Sequence, residues 1–135
     1  LTLLHLFIDE DQKRMRWVRA GHDRLFLFDP ATRDVREVDD QGGPVLGVLD
    51  EPQYPENSMP LVPGQVLLLG TDGIWEANNA AGELFGKERV CKLLQTHAAE
   101  PAQQILERVE EEVRTFQGLC EQDDDITLVV MKLLA

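Results

Sequence analysis

The stretch Gln65-Val66-Leu67-Leu68-Leu69, set off by Pro63-Gly64 before it and Gly70-Thr71-Asp72-Gly73 after it, constrains this chain more than any other. A near-continuous apolar run between turn signals reads as a central strand buried on both faces. Such a strand needs a layer on each side, and the flanking sequence offers candidates. Leu1 to Asp9 reads as a buried strand. After the polar turn Glu10-Asp11-Gln12-Lys13, Met15 to Ala20 reads as a second strand, so the two make a hairpin. Leu25 to Phe28, closed by Asp29-Pro30, and Val35 to Val38 read as two more short strands. Residues 39 to 64 are rich in Gly and Pro and read as a long surface connection, in which 45–49 and 58–62 are further candidate strands.

Two helical patterns follow the central strand. Lys87 to Thr96 carries Val90, Leu93 and Leu94 at helical spacing. Pro101 to Gln117 carries Ile105, Leu106, Val109, Val113 and Phe116 on one face, with Pro101 in the first turn and Gly118 at the stop. Ile126 to Leu134 reads as a last strand. Strands, then helices, then a strand favour an α+β layered sandwich over a doubly wound parallel sheet.

At 135 residues the chain is one domain or part of one, and its first residue is Leu rather than Met, which suggests a piece of something longer. With 43% hydrophobic and 28% charged residues it is neither disordered nor fibrous. A net charge of −12 argues against nucleic acid and anionic membrane as partners, because both need a basic footprint. Two cysteines, Cys91 and Cys120, are too few for a disulfide scaffold, which points to a reducing cytoplasm. The apolar run Leu1 to Ile8 is far shorter than the roughly 20 residues of a membrane span and lacks the features of a signal peptide.

The chemistry sits at two acidic places. Asp72 lies just past one strand, and Asp124 and Asp125 lie just before another. If those strands are antiparallel neighbours, the carboxylates converge on one rim of the sheet. Converging carboxylates raise each other's pKa unless a cation neutralises them. All-oxygen ligands favour Mg²⁺ or Mn²⁺ over Zn²⁺. Gly73 would let the backbone turn sharply and leave room for the ion's water. Spacing alone also admits a plain Asp-Gly turn and a solvated acidic loop.

Five motifs then occur in order. They are Ala20-Gly21-His22, Gly43-Pro44-Val45-Leu46-Gly47, Leu61 to Asn78 with its Thr71-Asp72-Gly73, Gly82 to Arg89, and Asp124-Asp125-Ile126-Thr127-Leu128. Together they resemble the metal-dependent protein phosphatase 2C superfamily, and within it the bacterial stage II sporulation protein E-like branch. The resemblance implies two packed antiparallel sheets flanked by helices, with residues 1–135 as the C-terminal portion of a single domain whose N-terminal part is missing. It implies removal of phosphate from protein phosphoserine or phosphothreonine, with two Mn²⁺ or Mg²⁺ ions, a bridging water and no phosphoenzyme. By motif match, Asp72 and Asp124 correspond to metal ligands, Gly73 is the adjacent backbone, and Asp125 is a second-line candidate. Asp123 is read as solvated. The branch commonly acts on phosphorylated anti-sigma-factor antagonists.

The chain departs from the family pattern in places. Arg19 stands where relatives carry Asn, and Gln65 and Gly70 replace an acid and a Tyr. These changes bear on packing and substrate contacts, which makes Arg19 a substrate-side candidate. His22 reads first as a histidine held in a turn and second as a substrate-side residue, because the site chemistry needs no imidazole. The family's first acidic motif precedes the strand matching Leu1 to Asp9, so the chain by itself is expected to be a poor enzyme or inactive. The rival reading is a non-catalytic, phosphatase-like module that binds a regulator. A sandwich lacking strands should also leave apolar surface uncovered, which predicts self-association.

Overall fold

The computed structural model of the protein describes residues 1–120, 122 and 124–134. Seven strands and two helices follow one another among them: β1 (Leu3–Asp9), β2 (Arg14–Ala20), β3 (Phe26–Asp29), β4 (Asp34–Glu37), β5 (Asn57–Pro60), β6 (Val66–Gly70), α1 (Lys87–His97), α2 (Ala102–Gln117) and β7 (Leu128–Lys132). They form two antiparallel sheets, a three-stranded one in the order β1-β2-β5 and a four-stranded one in the order β4-β3-β6-β7. This is the layered α+β sandwich expected from the order of patterns.

The central strand is β6, paired on one side with β3 and on the other with β7. Its side chains alternate between two cores. Val66 and Leu68 enter a cluster with Phe26, Phe28 and the apolar faces of α1 and α2, namely Val90, Leu94, Ile105, Val109 and Val113. Leu67 enters a second cluster with Met15, Trp17, Leu25 and Leu27, between the sheets. Both helices therefore pack on the four-stranded sheet. Lys132 of β7 anchors that layer: its ammonium donates to the carbonyls of Ala98, Ala99 and Glu100, at 2.8, 2.9 and 2.8 Å, where α1 has just ended. These carbonyls would otherwise lack intrahelical partners.

Three expectations need correction. β1 is not buried: it is an edge strand, with Leu3, Phe7 and Ile8 exposed. A uniformly apolar strand looks the same in sequence whether or not a second neighbour covers it. Residues 45–49 form no strand. Val45 instead packs against Gly21, and Val48 and Leu49 are exposed in a turn. The second candidate in that connection is the short strand β5, which begins at Asn57 and ends at Pro60. Asp123 lies outside the described residues.

Leu68 is fully buried between the sheet and both helices. Truncation by Leu68→Ala should cost about 2–5 kcal/mol through lost burial and the cavity left behind. A urea unfolding curve with an unchanged slope and a lower midpoint would measure it.

Candidate metal-binding rim

The antiparallel register of β6 with β7 pairs Gly70 with Leu128. The end of one strand thus lies beside the start of the other, and the segments just beyond them meet. Thr71 fastens the meeting point. Its N–H donates to the Thr127 carbonyl at 3.1 Å, and its hydroxyl donates to the Asp125 carbonyl at 3.1 Å. The same hydroxyl accepts the Thr127 N–H at 3.0 Å.

Gly73 completes the approach. A Cβ built on it would sit 2.7 Å from the Asp125 carbonyl oxygen and 3.4 Å from that of Asp124. The glycine is needed because another backbone passes against it. It is not among the glycines with positive φ, so the sharp-turn explanation is replaced by one of close approach. Asp72 is exposed on the turn that follows, where its carbonyl accepts the Glu76 N–H at 2.8 Å. Asp124 and Asp125 are also exposed. One Asp124 carboxylate oxygen accepts the Asp125 N–H at 2.7 Å, and Gln122 donates to the Asp124 carbonyl.

His22 and Arg19 belong to the same end of the sandwich. The segment through His22 leads into β3, whose Phe26 pairs with Leu68 near the end of β6. The His22 ring lies in the irregular segment between β2 and β3, with Nδ1 3.0 Å from the Asp23 carbonyl. Arg19 is heavily engaged within the chain. Its guanidinium donates to both carboxylate oxygens of Asp40, at 2.8 to 3.1 Å, and to the His22 carbonyl at 2.7 Å. Asp40 also accepts the Trp17 indole N–H at 2.9 Å and lies 3.4 Å from Arg24. Its side chain is only 2% exposed. Burial pushes the Asp40 pKa up, but the hydrogen bonds from Arg19 and Trp17 and the charges of Arg19 and Arg24 outweigh it. The carboxyl is left below its ordinary value.

Lys87 ties the rim to the helices. Its ammonium bonds Glu37 at 2.7 Å and Asp23 at 3.3 Å, and lies 5.1 Å from the centre of the Trp75 ring. Trp75 itself is core, edge-on to Phe26. Asp40, Lys87 and the fastening role of Thr71 escaped the sequence reading. Only Thr71 left a signal there, as the residue between a buried strand and a motif aspartate.

Among the described residues no three His, Cys, Asp or Glu side chains gather in a metal-holding group. Carboxylate oxygens such as those of Asp72 and Asp124 are the donor type a hard divalent ion takes, and Gly73, next to Asp72, lies close against the Asp124-Asp125 backbone.

The stage II sporulation protein E family matches residues 1–134. The chain belongs to that family. Its fold is that of the family's phosphatase 2C domains. The SiaA-PP2C domain of Pseudomonas aeruginosa superposes with a TM-score of 0.84 at 25% identity, covering 98% of this chain and 51% of that one. The manganese-presoaked phosphatase domain of SpoIIE from Bacillus subtilis gives a TM-score of 0.76 at 20% identity, over 98% of this chain and 56% of that one. In sequence the chain is similar to Protein IcfG of Synechocystis, 25% identical over 130 residues, and to the phosphoserine phosphatase RsbU of Bacillus subtilis, 23% identical over 132 residues. It spans 20% of the first protein and 38% of the second. No helix among the described residues is long and apolar enough to cross a membrane.

Two substitutions probe this rim. Gly73→Ala should force the Asp72 turn away from Asp125 and cost about 1–3 kcal/mol, read from chemical denaturation. Asp40→Asn should cost about 1.5–3 kcal/mol at neutral pH, because Arg19 and Trp17 lose a charged acceptor. Asp40 titrates below its ordinary value when folded, so its stabilisation is present in full above the carboxylate range. It is lost as pH falls through the folded value. The stabilities of wild type and Asp40→Asn, measured against pH, should therefore converge in acid.

Proposed function

We propose that the protein carrying these residues is a Mn²⁺- or Mg²⁺-dependent serine/threonine phosphoprotein phosphatase. Residues 1–135 would be the C-terminal portion of its single phosphatase 2C-like domain. One observation carries this reading: the Asp72-Gly73 turn abuts the Asp124-Asp125 segment at one sheet rim, in a phosphatase 2C-type fold. Membership of the stage II sporulation protein E family supports it.

Asp72 and Asp124 would hold the ion through carboxylate oxygen, with Asp125 in a secondary position. When bound, the ion supplies the charge that makes water a competent nucleophile at neutral pH and offsets the negative phosphoryl oxygens. The chain's own residues hold the frame. Thr71 and Thr127 keep the two aspartate-bearing segments together. Asp40 holds Arg19, and Arg19 holds the His22 carbonyl, so the segment bordering the rim is fixed from below. His22 stays a substrate-side candidate through its imidazole. Arg19 could reach substrate only by leaving Asp40, so its role in this reading is to position that segment.

The substrate would be a phosphorylated signalling protein, with an anti-sigma-factor antagonist as the specific expectation, and the place of action the cytoplasm. RsbU, by its name, is a phosphoserine phosphatase, which supports the substrate class. Two carboxylates alone grip a divalent ion weakly. The family's first acidic motif, which has no counterpart among these residues, would supply the remaining ligands. On this reading the 135-residue chain binds Mn²⁺ weakly and turns over little or no phosphoprotein.

Calorimetric titration of Mn²⁺ into the chain should show weak binding that both Asp72→Asn and Asp124→Asn abolish. Isotherms identical to wild type would remove those residues from the ligand set. They would leave the non-catalytic binding module as the better account.

A further inference from the structure

Helix α1 begins against the turn that carries Asp72. That turn is closed by its own backbone: the Ile74 N–H donates to the Thr71 carbonyl at 3.2 Å, and the Glu76 N–H to the Asp72 carbonyl at 2.8 Å. Its far side is strapped to the entry of α1. The Gly86 N–H donates to the Trp75 carbonyl at 2.9 Å, and the Phe85 N–H to the Ala77 carbonyl at 2.7 Å. Lys87 is the first residue of the helix, and its ammonium stands 5.1 Å from the centre of the buried Trp75 ring.

The same ammonium reaches the opposite wall. Glu37 ends β4 and pairs with Phe26, the first residue of β3, and Asp23 lies three residues before Phe26. Lys87 bonds both carboxylates through one nitrogen. All three side chains are just over a third exposed, so each pair alone would be a weak link. Convergence on one nitrogen, with an aromatic ring behind it, gives the ammonium a defined place. Burial pulls its pKa down, but the hydrogen bond to Glu37 and the charges of Asp23 and Glu37 outweigh this. Lys87 titrates above its ordinary value and stays charged through the neutral range. β4 and β3 lie at the side of their sheet away from β7, and every contact named here is made within this chain.

We infer that Lys87 is a positioning residue for the rim: through Trp75 and the entry of α1, it pins the Asp72 turn to the sheet at Asp23 and Glu37. The inference rests on the reading of Asp72 as a metal ligand. Thr71 and Gly73 set where the turn meets the Asp124 segment, and Lys87 secures the turn's other end. A carboxylate grips an ion well when the residues behind it hold its orientation. A positive charge near a cation site, taken alone, weakens binding. Positioning does the reverse, so the two effects predict opposite signs when the ammonium is removed.

Two measurements on the whole chain test this. Calorimetric titration with Mn²⁺ compares wild type, Lys87→Met and Lys87→Arg. Methionine keeps a stem on Trp75 and removes the charge. Arginine keeps the charge, and its fork can serve both carboxylates while stacking on the ring. Lys87→Met should weaken Mn²⁺ binding by about tenfold, as when a residue behind the ligands is removed. Lys87→Arg should stay within about twofold of wild type. Amide hydrogen exchange without metal is the second readout. In Lys87→Met the Glu76 and Gly86 amides should exchange about threefold faster or more, while the amides of the β6–β7 ladder and of Thr127 keep their rates. Mn²⁺ binding that is unchanged or tighter in Lys87→Met, an arginine variant as weak as the methionine one, or exchange that speeds up everywhere alike would overturn the inference. If wild type takes up no Mn²⁺, or Asp72→Asn leaves its isotherm unchanged, the reading of Asp72 as a ligand fails, and the exchange rates alone decide whether Lys87 secures the turn. If Lys87→Met fails to fold, Glu37→Gln replaces it in the exchange measurement, with the same pattern expected.

Discussion

The antiparallel pairing of β6 with β7, fastened by Thr71, is the interaction on which the rest depends. Asp72 and Asp124 are remote in sequence, and no local motif could bring them together. A ladder of backbone hydrogen bonds does so, because the exit of one strand must face the entrance of its antiparallel neighbour. The Thr71 hydroxyl then acts as both donor and acceptor across the junction, and Gly73 leaves room for the passing Asp125 carbonyl. The exposed carboxylates lie on those segments, and the buried strands behind them set their position.

The same strand pair supports the helical layer. Leu68 and Val66 press on α1 and α2, and Lys132 grips the carbonyls at the end of α1. At the other end of α1, Lys87 reaches Glu37, Asp23 and the face of Trp75. Helix α1 is therefore held at both ends by lysines, one against a strand terminus and one against the rim. Within the sandwich, Asp40 does comparable work for β2, gathering Trp17, Arg19 and Arg24 around one carboxylate.

Much of this was legible in the residues. The central strand showed as an apolar run between turn signals, the helices as 3.6-residue periodicity, and the rim as acids placed just outside two strands. The misreadings share a cause. Local pattern reports that a residue is apolar and does not report what lies across from it. β1 was read as buried because Leu3 to Ile8 looks like any core strand, although among the described residues it pairs with β2 alone. Val45 to Leu49 was read as a strand, whereas Val45 fills the space over Gly21 and Leu49 faces solvent. Arg19 was visible as a departure from the family, but its partner Asp40 was not, because a fork-to-carboxylate contact leaves no trace in spacing.

β6 is apolar on both faces, and this has a consequence for how the chain finds its alignment. In most sheets a one-residue slip would drive polar groups inward, so burial alone penalises the error. Here Val66, Leu67 and Leu68 are all apolar, so a one-residue shift would carry no polar side chain of these three into either core. Correct alignment then falls to the few polar contacts at the strand's end, above all the threonine pair. The residues that bring the two aspartates together thus also keep the innermost strand in step.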